Sequence, residues 1–297
     1  KVEPKTIGVA MPHIHALGRM QIAAWLLYYI EQTAKENGCH IIITISNNDE
    51  ALESENLISL KERGVDGIIC YPVSGSTNSS LMKSINDSGI PVVMVDCYPY
   101  PERSQISFVT TDNYRGSYEA VKKLSELGFD TVYHISHKST SAPANMRQKG
   151  YEAAIKELNL KGDMLMLEIS EKATFEEIRE IAKEQTLSLL ENVDSPIAIY
   201  TMNAIIMYGV MEAIRHSGVD RSKLALCTFD SPDEYWPEDT LCVSVLQPLE
   251  QIARKSVHVV MDGIEGNLSV RNILLEPSII VGEVGNDRLV SQTESLR

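Results

Sequence analysis

Residues Val109 to Tyr151 read VTTDNYRGSYEAVKKLSELGFDTVYHISHKSTSAPANMRQKGY. A β-branched run leads into an amphipathic stretch that opens at Asp112-Asn113 and stops at Gly128. A second apolar run, Thr131–Ser136, follows at once, then a polar loop and another helical stretch. Asx side chains accept from the unpaired N–H groups that open a helix. Glycine tolerates the left-handed backbone found just past a helix C-terminus. The segment therefore reads strand, helix, glycine turn, strand, loop, helix.

The same alternation runs outward in both directions. Thr6–Met11, His40–Ser46, Gly67–Tyr71 and Val92–Val95 read as strands, with Met20–Asn37, Asp49–Arg63 and Ser79–Ser88 as the helices between them. Beyond the quoted segment, Met164–Leu167, Pro196–Tyr200 and Leu224–Thr228 alternate with helical Thr174–Leu190 and Met202–His216. Gly38, Gly64, Gly89, Gly128 and Gly218 each follow a helical run. Strands this apolar are buried on both faces, which means a parallel sheet covered by helices. Right-handed crossovers then give an α/β fold of doubly wound sheets. The strands outnumber what one open sheet usually holds.

The chain has 297 residues, 43% hydrophobic and 23% charged, a globular composition. Its apolar runs are too short to span a bilayer, so no membrane association is expected. The opening KVEPKTIGVAMP has no apolar signal-peptide core. Cys39, Cys70, Cys97, Cys227 and Cys242 are odd in number and lack CxxC spacing. They read as buried free thiols in a reducing cytoplasm. With 27 basic and 41 acidic residues the net charge is −14. DNA affinity rests on Lys and Arg at phosphates, so any DNA-binding part is expected to lie outside these residues.

Ligands of open α/β sheets bind beyond the carboxyl ends of the strands. The residues at those positions include His13, His15, Ser74, Asp96, His137 to Arg147, Asn203, Asp230 and Gln247. Asp96 closes PVVMV and Asp230 closes LALCTF. A carboxylate there accepts hydroxyl hydrogen bonds in a fixed direction, or it caps the next turn. Arg147 offers a planar fork of donors, though on spacing alone it reads as a solvated arginine in the first turns of a helix. Asn203 caps the helix after a strand or presents its amide to the cleft. Gln247 precedes Pro248 as a contact or a hinge residue. Trp25, Tyr71, Tyr98 and Trp236 are candidates for stacking on a sugar face or for plain packing.

The ordered set of this segment, its RxxGY motif, Phe229-Asp230, Gln247-Pro248 and the closing LLEPSIIVGE resembles the effector-binding core of LacI-type transcriptional regulators, of periplasmic-binding-protein type I. The resemblance runs from Lys5 to about Glu283. It implies two lobes, 1–111 plus 248–273 and 112–247 plus 274–297, joined by three crossings near Thr111-Asp112, Leu246-Gln247 and Asn272–Leu275. It also implies ligand contacts at Asp96, Arg147, Asn203, Asp230 and Gln247. Two departures stand out. Ala204 replaces the usual acidic residue after the asparagine, and the first loop, HIHALGRMQIAAW, is longer than in the family. His13, His15 and Arg19 in that loop are further candidates for ligand contact.

The function so implied by the resemblance is the effector-binding and dimerising part of a bacterial transcriptional regulator, a repressor, sensing a sugar or sugar derivative. Operator DNA would be met only through an absent N-terminal head, with Lys1–Pro4 as the end of its linker. A homodimer in the cytoplasm, with no cofactor, no metal and no enzymatic activity, is expected. The alternative is a periplasmic sugar-binding protein of an ABC transporter, monomeric and exported. An enzyme would need the His13-Ile14-His15 pair to gather ligands such as His134 and His137. Walker A, G-x-S-x-G and GxGxxG motifs are absent.

Overall fold

The computed structural model describes residues 4–13, 22–74, 77–98, 105–139, 141–170, 173–191, 196–230 and 236–282. Two six-stranded sheets organise it. The first takes β1 (Thr6–Met11), β2 (His40–Ile45), β3 (Gly67–Cys70), β4 (Val92–Val95), β5 (Ser107–Thr111) and β11 (Asn272–Leu275) in the order β11-β5-β4-β3-β1-β2. The second takes β6 (Val132–His137), β7 (Met164–Leu167), β8 (Ile197–Thr201), β9 (Leu224–Phe229), β10 (Leu241–Leu246) and β12 (Ser278–Val281) in the order β12-β10-β9-β8-β6-β7. The orders match strand for strand, so each lobe repeats the other's plan.

Every pairing is parallel except β12, which runs antiparallel to β10. The interior strands β3, β4, β5, β8 and β9 are buried throughout, as two-sided helical cover requires. On one face of the first sheet lie α1 (Ile22–Glu36) and α8 (Leu249–Ile264), sharing a core with Ile7, Val9, Val93 and Val109. On the other lie α2 (Glu50–Glu62) and α3 (Ser79–Asp87), through Leu57, Leu60, Met82 and Ile85. The second sheet carries α6 (Phe175–Leu190) and α7 (Ala204–His216) on one face and α4 (Asn113–Glu126) and α5 (Ala142–Glu157) on the other. All five cysteines are buried and free.

The helix ends follow the sequence closely, with one exception. Gly38, Gly64, Gly89 and Gly128 have positive φ just past their helices. After α7 the chain instead turns out through extended Ser217, so Gly218 needs no left-handed backbone.

The chain crosses between sheets after β5, after β10 and between β11 and β12. Asn272–Leu275, expected as a crossing, is a strand paired in register with Phe108–Thr111. It caps the edge of the first sheet, and the third crossing shrinks to Glu276-Pro277. The crossings are cross-tied. Asp112 N donates to Leu275 O at 2.7 Å, and Thr111 Oγ1 donates to Gln247 Oε1 at 2.6 Å.

Candidate functional site

The carboxyl ends of both sheets converge beside these crossings. β4 delivers Asp96 and β9 delivers Asp230, at equivalent places in the two lobes. Asp96 N donates to Val109 O at 3.2 Å and Asp230 N to Val245 O at 2.9 Å, each reaching the next strand of its own sheet. Both have left-handed backbone, φ 60° and 61°. Asp is one of the few side chains that enters this region readily.

Neither aspartate caps a helix among the described residues. The Tyr71 hydroxyl acts on Asp96 and draws its carboxyl down, while among the described residues Asp96 Oδ1 is buried with no hydrogen-bond partner. Asp230 accepts from Gln247 Nε2 at 3.2 and 3.3 Å. Burial raises the Asp96 carboxyl above its ordinary range, against the pull of Tyr71 and Arg147. Burial likewise pushes Asp230 up to about 6; the Asp96 charge adds to the rise, while Arg147 and Gln247 oppose it. The two carboxylates and the guanidinium thus sense one another across the lobes.

Arg147 stands on α5 and is only 7% exposed. Its Nε donates to Asn113 Oδ1 at 2.7 Å and its Nη1 to Met202 O at 2.8 Å. The guanidinium lies 3.8 Å over the centre of the Phe229 ring, a cation–π contact. These holds fix the plane of the fork. The solvated reading of Arg147 is excluded by this burial.

Gln247 joins the site to the crossings, accepting from Thr111 and donating to Asp230. Asn203 caps α7, its Oδ1 accepting from Ile206 N at 3.1 Å. Ser74 donates to Thr77 Oγ1 at 2.9 Å, and Thr77 donates to Glu50 at 2.8 Å, which ties that loop to α2. Trp236 is 5% exposed and packs in the core under α7. His13 is half-buried at the end of β1. His15 and Arg19 lie outside the described residues.

The histidines proposed for a metal do not share a setting. His134 is fully buried in β6, stacked on Tyr200 at 4.5 Å, with Nδ1 3.1 Å from Tyr200 O. A carbonyl can only accept, so Nδ1 carries the proton. Burial holds this imidazole down to about 3, hence neutral. Among the described residues no cluster of three or more His, Cys, Asp or Glu could hold a metal ion.

Three contributors escape the strand-end rule. Asn113, 2% exposed, orients Arg147 from inside α4. Phe229 forms the floor under the guanidinium. Tyr71 acts through its hydroxyl on Asp96 rather than only as an apolar face. Phe229 was findable, since it directly precedes Asp230 on a buried strand. Asn113 was hidden because its neighbour Asp112 performs the capping, accepting from Arg115 N at 2.9 Å.

Two strand-end carboxylates, one fixed guanidinium and the amides of Gln247 and Asn203 are a set of polar groups suited to a small ligand with several donors. The periplasmic binding protein domain model matches residues 23–268. The chain is 24% identical over 255 residues to the HTH-type transcriptional regulator DegA of Bacillus subtilis, covering 85% of this chain and 73% of that protein. It is 25% identical over 194 residues to the ribose import binding protein RbsB of the same organism, covering 64% of this chain and 60% of that one. Among solved structures, a regulatory protein of the LacI family from Chloroflexus aggregans superposes with a TM-score of 0.77 at 22% identity, over 93% of this chain and 96% of that one.

Proposed function

Because this chain belongs to the periplasmic binding protein domain family, we propose that it is the effector-binding part of a LacI-type bacterial transcriptional regulator. It takes a sugar or sugar derivative between its lobes. The observation that carries this reading is the matched pair Asp96 and Asp230, one per lobe, both feeling the charge of the buried Arg147. A ligand bonded to both aspartates holds the lobes in one relative orientation. It shifts the equilibrium only through contacts that differ between orientations.

DNA contact belongs to a separate head, since the net charge of −14 repels phosphate. Dimerisation supplies the second head. The edge strands β2 and β7 lie at the same end of both sheets, and Tyr28, Ile43 and Met166 beside them are 37–43% exposed. That apolar edge is the proposed dimer face.

The likeness to a ribose import binding protein supports a second reading, a transport receptor, which shares the cleft but works as a monomer. The test of the main reading is a thermal-shift screen against monosaccharides, sugar acids and sugar phosphates, with mass measured by light scattering. Ligand bound to the native state raises the melting temperature by mass action. A shift with a sugar and a dimeric mass are expected. A shift with a monomeric mass favours the transport receptor, and no shift with any sugar removes the sugar cleft.

A further inference from the structure

The charges of the cleft do not balance. Among the described strand-end residues, Asp96 and Asp230 both feel the charge of one buried cation, Arg147. Of the other charged groups at these strand ends, His13 and His137 are imidazoles, and Lys138, next to His137, is exposed. Arg147 has no freedom to follow either carboxylate, being held by Asn113, by Met202 O and by the Phe229 ring. The remaining help is neutral: the Tyr71 hydroxyl on Asp96 and a long, shared contact from Gln247 to both oxygens of Asp230. Among the described residues Asp96 Oδ1, though buried, has no hydrogen-bond partner.

Closing this cleft over a ligand removes water from two carboxylates. A buried charge is costly unless paired and hydrogen-bonded. A neutral polyol supplies donors but no charge, and an anionic sugar adds repulsion. An ammonium group supplies both missing things, a positive charge and up to three donors, to the two carboxylates together.

We propose that the ligand of this cleft carries a protonated amino group beside its hydroxyls, as an amino sugar or amino polyol does. This rests on the cleft being the ligand site. Arg147 then serves the hydroxyl end and the two aspartates share the ammonium. Hydrogen bonds to a charged group exceed neutral ones by enough to make the amine bind roughly tenfold tighter than its neutral counterpart.

The test is calorimetric titration of the whole chain with matched probes: glucosamine against glucose, galactosamine against galactose, mannosamine against mannose, and N-acetylglucosamine, whose nitrogen carries no charge. At least one amine is expected to outbind both its neutral partner and, for glucosamine, the acetylated form, with an advantage that shrinks as salt is added. In Asp96→Asn and Asp230→Asn the paired probes are expected to bind alike, and Asn accepts the left-handed backbone of both positions. Neutral sugars binding as well as or better than the amines overturns the ammonium while keeping the sugar cleft. No binding by either set overturns both.

Discussion

Asp230 combines two demands on one residue, a left-handed backbone and a carboxylate in the gap between lobes. They separate by substitution. Asp230→Asn keeps the backbone and is expected to lower ligand affinity by roughly 1.5–3 kcal/mol, the worth of a hydrogen bond to a charged acceptor. Asp230→Ala is expected to cost a further 1–2 kcal/mol or so of folding stability, because Ala has no ease in that region. Calorimetry and urea denaturation on both variants read the two losses apart. A dependence of stability on pH follows from the same burial. The folded carboxyl is raised to about 6, above its unfolded range, so its favourable contribution is complete at low pH and is lost as pH rises through about 6. Melting temperature of the ligand-free chain, followed from about pH 4 to pH 7, is expected to fall less steeply in Asp230→Asn than in the parent. A steeper fall in the variant contradicts the assignment. At this scale the sequence exposed the positions and hid their chemistry. The strand-end rule finds Asp96 and Asp230 because an apolar run stops there. Nothing in PVVMVD or LALCTFD announces a positive φ, an orphaned Oδ1 or a shared arginine, since those depend on chain segments far apart in sequence.

The helix pair α4 and α5 is built around glycine at its closest approach. A Cβ on Gly150 would lie 2.3 Å from the Tyr114 carbonyl oxygen and 2.8 Å from the Ser117 side chain. Ser117 in turn donates to Arg147 O at 2.6 Å, so this contact sets the height of the arginine helix. Gly150→Ala is expected to destabilise by about 1–3 kcal/mol through overpacking and to weaken ligand binding by displacing Arg147. Denaturation midpoints and titration on the one variant measure both. A loss of stability with unchanged affinity detaches the helix contact from the site. At α6 the Thr174–Glu177 capping box closes the N-terminus reciprocally, and Thr174→Ala is expected to cost about 1 kcal/mol with no effect on ligand. Elements were the most legible level, because 3.6-residue periodicity and glycine stops are local. Asn272–Leu275 was not, since a four-residue edge strand differs from a linker only in having β5 beside it. β12 likewise gives no local sign that it runs antiparallel.

Two sheets of the same strand order, tied at three crossings, put the proposed cleft and the proposed hinge on the same segments. The duplication left no repeat visible in the residues, because burial constrains only which positions are apolar. Gln247 touches both parts, with Thr111 at one end of its amide and Asp230 at the other. Gln247→Leu keeps the bulk and removes both bonds. Small-angle scattering is expected to show a smaller ligand-induced compaction in that variant than in the parent at saturating ligand. Equal compaction assigns the hinge to the backbone ties alone. The shared amide also bears on pharmacology. A molecule that fills the cleft through Arg147 and Asp96 but leaves Asp230 untouched occupies the receptor without pulling on Gln247. On the proposed sensor function such a compound is expected to bind without compacting the chain, so that occupancy and response part at a single contact with one carboxylate.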